Sequence, residues 1–104
     1  MKIIWSPLAV TRMREAVRYI AQDDPEAARQ MASSILESVE KLPSFPKSHR
    51  MIPELEREDL REFFQGRYRI VYRIAGDAIH ILTVRHMRRE LDPAEVEVNN
   101  REPS

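Results

Sequence analysis

Arginine recurs at positions 69, 73, 85, 88 and 89, with Arg61 shortly before them and His86 in their midst. Guanidinium groups grip carboxylates and phosphates as a planar fork, so such a cluster suits a groove for an anionic partner. Between residues 60 and 89 seven arginines (61, 67, 69, 73, 85, 88 and 89) stand against Glu62 and Asp77, a local excess of +5. Residues 90–104 hold five acids against Arg101, a balance of −4. The basic stretch therefore precedes an acidic tail that can mask part of it, or the two are solvated surfaces whose charges compensate.

The elements that position these side chains are legible in the same stretch. Tyr68, Ile70, Tyr72 and Ile74 alternate with Arg69, Val71 and Arg73, the period of a strand whose two faces see different surroundings. One face packs and the other presents arginine. Ala75-Gly76-Asp77 supplies a turn. Residues 78–84 are apolar at nearly every position and rich in β-branched side chains, as expected of a central strand covered on both faces. The cationic end, Arg85 to Arg89, begins where that apolar pattern stops.

The 104 residues fit one domain, taken as 1–104, with a core large enough to need no staples. Without cysteine there is neither disulfide nor thiolate metal site; no metal and no cofactor is expected, and a cytoplasmic location is the default. No apolar run approaches the roughly 20 residues that span a bilayer, so no membrane partner is expected.

Lys2–Trp5 reads as a first strand ending at Ser6-Pro7, where serine caps a helix and proline takes its first position. Ala9, Met13, Ala16, Val17 and Ile20 form one apolar stripe. A second start, Asp24-Pro25-Glu26, opens a helix with Ala28, Met31, Ala32, Ile35, Val39 and Leu42 on its apolar face. With almost no linker the two helices must form an antiparallel hairpin. Residues 43–58 read as a surface loop in which Met51, Ile52 and Leu55 tuck back, with His49 exposed, and residues 60–64 as a further strand. Asp92-Pro93-Ala94-Glu95 resembles one more helix start, whereas Val96 and Val98 suit a strand. The order β-α-α-β-β-β implies an α+β fold, a helical hairpin on one face of a small, mostly antiparallel sheet, with a possible short C-terminal element. Arg69 and Arg73 then point to the opposite face.

Several of these pieces together resemble the RelE/ParE toxin superfamily of type II toxin–antitoxin systems: the first strand running into Ser6-Pro7-Leu8-Ala9, Tyr19-Ile20-Ala21 with residues 24–28, Leu60-Arg61-Glu62, the strand 68–74, and Val84-Arg85-His86-Met87-Arg88-Arg89. The likeness covers about residues 2 to 90 in order. It implies one of two activities. RelE-like members are ribosome-dependent mRNA endonucleases, and ParE-like members poison DNA gyrase. For the nuclease it implies Arg69 at the scissile phosphate with His86 and Arg88 nearby, in a metal-independent mechanism of base, acid and cations. Paired lysines before residue 65 and a tyrosine after Arg89 are missing, however, and the net charge is zero. The ParE-like branch is therefore favoured. Arg61, Arg69, Arg73, Arg85, His86, Arg88 and Arg89 are the expected target-binding residues, with gyrase as the target (alternatively the ribosome and its mRNA). A cognate antitoxin is implied as partner in a hetero-oligomer, its helix received by Leu8 and Leu36 on the hairpin and an acidic extended segment by Arg69 and Arg73.

Overall fold

A computed structural model describes residues 1–88 and 94–95. The chain runs β1 (Lys2–Trp5), α1 (Pro7–Ala21), α2 (Pro25–Lys41), β2 (Arg50–Met51), β3 (Leu60–Gln65), β4 (Tyr68–Ala75) and β5 (Ala78–His86). Both helix starts form as their sequences dictate: the Ser6 hydroxyl accepts the Ala9 N–H at 2.9 Å and the Asp24 carboxylate the Ala27 N–H at 3.1 Å, each satisfying a donor that has no partner within its helix. In the hairpins β3–β4 and β4–β5 two residues connect the strands. The first of each pair, Gly66 or Gly76, lies at φ near +60° (58° and 59°), a region glycine enters without strain.

The five strands lie in the order β1-β5-β4-β3-β2. β1 runs parallel to β5, and every other pair is antiparallel. The helical hairpin covers one face, where Ala9, Ala16, Ile35, Val39 and Leu42 meet Phe63, Ile70, Tyr72, Ile79, Ile81 and Val84. This matches the expected α+β architecture, with β2 as an added short edge strand.

The opposite face departs from expectation. It carries a second, smaller core of Ile52, Leu60, Val71 and Leu82 with Leu55 against it, so the segment after β2 folds back over it. Arg69 and Arg73 do lie on this face, but Arg69 is buried there and Arg73 is half-buried. The alternation of β5 is also broken. Tyr72 pairs with Ile81 and Val71 with Thr83, leaving Leu82 as an extra residue in a β-bulge. Without that bulge the alternation from Ile79 and Ile81 would carry Thr83 and Arg85 into the helix-covered core; with it, Val84 goes inward instead.

His49 is half-buried rather than exposed, its ring 4.8 Å from that of Phe63 and 6.4 Å from that of Tyr72. Burial lowers its pKa below the ordinary 6.5, because the charged imidazolium loses solvation. The unfolded chain then binds this proton more readily than the folded one. Stability is accordingly expected to fall as pH drops through 6.5 toward the folded value, the penalty being absent above 6.5 and fully present below the folded pKa. Denaturant midpoints measured across pH 5 to 8 should show this slope, and His49→Gln should flatten it. An unchanged slope would assign it to other groups.

A cationic cleft as the candidate functional site

The expected arginines separate into distinct environments once their partners are counted. Arg69 is 7% exposed. Its Nε donates to Glu62 Oε1 at 2.6 Å and its terminal nitrogen to Glu54 at 3.0 Å. Glu62 has no exposure and also takes Arg50 at 2.7 Å through its other oxygen. Arg50 in turn lies over the Phe64 ring, 5.1 Å from its centroid, a cation–π contact at the edge of the sheet. Burial opposes the charge on Arg69, yet the hydrogen bonds it donates to Glu62 and Glu54 keep its pKa above the ordinary value. Hydrogen bonding to Arg69 likewise holds the Glu54 carboxylate below its usual 4.5. Two carboxylates thus occupy the guanidinium fork that a phosphate would need.

Arg73 pairs with Asp59 at 3.2 Å. Burial alone would raise the Asp59 pKa, but Arg57 and Arg73 hold it below 3.8. Arg61 is spent on backbone carbonyls, donating to Glu58 and His49 at 3.0 and 3.1 Å. Arg85 donates to Glu95 at 2.6 Å. Among the described residues, the side chains of Arg67 and Arg88 have neither an ion pair nor a hydrogen bond, and both are exposed. Arg89 lies outside the described residues, as does the acidic tail apart from Ala94 and Glu95.

Arg67 and Arg88 face a cleft where the helical hairpin meets the β3–β4 turn and the end of β5. One part, about 500 Å³, is bordered by Tyr19, Met31, Gln65, Arg67, His86 and Arg88. The other, about 420 Å³, continues past Tyr19, Tyr68 and His86 to Arg12, Val84 and Arg85. His86 stands edge-on to Tyr68 with ring centroids 5.4 Å apart, and its Nδ1 accepts the Arg88 N–H at 3.2 Å. Tyr19, on α1, is 68% exposed. The cleft thus offers cations, exposed aromatic surface and an imidazole, a composition suited to a protein or nucleic-acid surface.

His86 and Arg88 are brought together, but Arg69 is not with them. Tyr68 pairs with His86 and Arg69 with Arg85 across the β4–β5 ladder. Tyr68 belongs to the core under the helices, so His86 is on the helix-covered face and Arg69 on the opposite one. The sheet separates Arg69 from the two residues expected to act with it in a nuclease. Leu36 is 46% exposed on α2 and Leu8 is half-buried on α1. Sequence reasoning passed over Arg12, Tyr19, Glu54 and Glu62. The polar position of Glu62 between Leu60 and Phe64, on a strand face otherwise apolar, was the available signal for a buried partner of arginine.

The helical hairpin on a five-stranded sheet places the chain in a known fold. It resembles a chain from a solved structure of a chromosomal ParDE toxin–antitoxin system of P. aeruginosa, with a TM-score of 0.66 and 21% identity, covering 83% of this chain and 95% of that one. Residues 3–91 match the model of the ParE toxin of the parDE type II toxin–antitoxin system, and the chain belongs to this family. It is also 34% identical over 94 residues to the candidate toxin Y4kP of Sinorhizobium fredii (strain NBRC 101917 / NGR234), covering 86% of this chain and 91% of that protein.

Proposed function

We propose that this protein arrests growth by binding DNA gyrase, without cutting RNA, and that a cognate antitoxin neutralises it. The observation that carries the reading is the state of Arg69, buried, held by Glu62 and Glu54, and across the sheet from His86. A ribonuclease needs its cation, base and acid within reach of one phosphodiester. Binding needs only a surface, and the cleft with Arg67, His86 and Arg88 provides one. The zero net charge favours a protein target in the same way, since a nucleic-acid complex draws its affinity from many unpaired cations.

Purified protein is expected to inhibit gyrase supercoiling or to trap cleaved gyrase–DNA complexes, and its induction alone in a bacterial host to cause filamentation and a DNA-damage response with intact mRNA. Translational arrest with codon-positioned cuts in mRNA would replace this reading with the ribonuclease. An unaltered gyrase at saturating protein would also count against it.

The antitoxin's apolar helix is assigned to the exposed side of the hairpin at Leu36. Leu36→Glu should weaken the complex with the antitoxin by about tenfold or more, while the thermal midpoint of the isolated protein stays put, because the side chain is half in water. An unchanged affinity would move that interface elsewhere.

A further inference from the structure

Glu95 is 6% exposed although it follows an exposed Ala94. Its Oε1 accepts from Nε and a terminal nitrogen of Arg12 at 3.2 and 3.1 Å. Its Oε2 accepts from Arg85 at 2.6 Å and faces the Thr83 hydroxyl at 3.4 Å. The donors come from α1 and from the part of β5 beyond the reach of β1, whose pairing with β5 stops at Ile81. Two arginines and a hydroxyl thus converge on one carboxylate at a margin of the sheet that is unpaired among the described residues. They are not exhausted by it. The Nε of Arg85 is buried and has no hydrogen-bond partner among the described residues, a donor left over where a second acceptor would fit. The 420 Å³ cleft opens immediately beside it, with Ala16, Tyr19, Tyr68 and Val84 along its wall, room for an apolar side chain next to the bound acid.

We propose that Arg12, Thr83 and Arg85 form a carboxylate-acceptor site for an acidic peptide segment of a partner protein, and that Glu95 fills it in cis until such a segment displaces it. A peptide is favoured over a nucleic-acid phosphate for two reasons. The donors already fit a planar carboxylate, and Glu15, bonded to Arg12 at 3.1 Å, adds a negative charge beside the site that a phosphodiester chain would meet. The hydrogen bonds that Arg12 donates to Glu15 and Glu95 raise its pKa despite its loss of solvent, so the site stays charged throughout the physiological range. Displacement exchanges one carboxylate for another, which leaves the burial of charge unchanged; the competing segment's additional contacts in the cleft must outweigh the advantage of a carboxylate already tethered in cis. The proposal rests on the reading that a partner protein binds this chain, and on nothing about gyrase.

The test uses the full chain and a fluorescent, capped peptide with the sequence of residues 91–98, titrated by anisotropy into the wild type and Glu95→Gln. The variant should bind about tenfold more tightly or better, and adding Arg85→Ala to it should abolish the gain. The same peptide with glutamine for glutamate at its position 95 should lose most of its affinity. Equal binding to wild type and variant, no binding to either, or a preference for an oligothymidylate over the peptide would overturn the proposal. Should Glu95→Gln fail to fold, Glu95→Asp takes its place: its shorter side chain cannot span both arginines, so tighter peptide binding than wild type supports the site and equal binding overturns it. Neither gyrase nor antitoxin enters the assay, so its failure leaves the target reading standing.

Discussion

Glu62→Ala is expected to destabilise the protein by about 3–5 kcal/mol, the usual cost of removing one member of a buried ion pair. Glu62 has no exposure and binds both Arg69 and Arg50. Its loss leaves Arg69, itself 9% exposed in the side chain, with Glu54 alone, and Glu54 is 54% exposed. At about 4–8 °C per kcal/mol for a domain of this size, the thermal midpoint should fall by more than roughly 12 °C. Glu54→Gln should cost less than about 1 kcal/mol, as solvent-exposed ion pairs do. The double variant Glu62→Leu/Arg69→Met should recover most of the loss, since apolar replacement of a whole buried pair is close to neutral and Leu60 and Val71 lie in an apolar cluster on the same face. Guanidinium melts decide this. A Glu62→Ala variant within about 1 kcal/mol of wild type would mean that Arg69 is solvated without its partner, and it would return to contention as a phosphate ligand.

Tyr72→Ala should be comparably damaging, about 3–5 kcal/mol for a large aromatic truncated in a packed core. The ring is fully buried among residues from both helices and three strands, and its hydroxyl donates to the Pro46 carbonyl at 2.7 Å. Burial pushes its pKa up to about 12, so the hydroxyl remains a donor at any working pH. Tyr72→Phe removes that bond alone and should cost about 0.5–1.5 kcal/mol. It should also speed amide exchange in residues 43–49 while β4 and β5 stay protected, because the hydrogen bond ties that loop to the sheet. Equal losses for Phe and Ala would show that the loop anchor, not the ring, dominates.

The elements themselves were readable because local chemistry dictates them. Ser6-Pro7 and Asp24-Pro25 start helices wherever they stand before an apolar stripe, and the glycine turns fix the two hairpins. The strand with Tyr68, Ile70, Tyr72 and Ile74 also kept its period. Long-range pairing was the hidden part. Nothing local to Arg69 announces Glu54 fifteen positions back or Glu62 seven back, so alternation places this guanidinium on the far face without revealing that it is neutralised there. The bulge at Leu82 was equally silent. Residues 78–84 are apolar on both parities, which hides a change of phase, and that change decides which face Arg85 and His86 occupy. Likewise Glu95 was visible as part of a helix start, whereas its contact with Arg12 spans 83 positions and no short-range pattern encodes it.

The parallel pairing of β1 with β5 bears on how the chain acquires its structure during synthesis. Ser6 caps its helix and bonds to Leu82, 76 positions away, and the apolar stripe of α1 lands on β5. The docking of the first strand and first helix on the sheet therefore waits for the last strand to be made, while the α1–α2 hairpin and the β3–β4 hairpin need only neighbours. Closing so long a loop comes late, because its entropy cost must be met before distant contacts can reward it. A growing chain passes through a stage in which Ala9, Ala16 and their companions on the helices face water, and the cleft beside β5 does not yet exist. The cleft proposed as the target surface thus comes into being only in that final step, and a chain cut short before β5 would lack it.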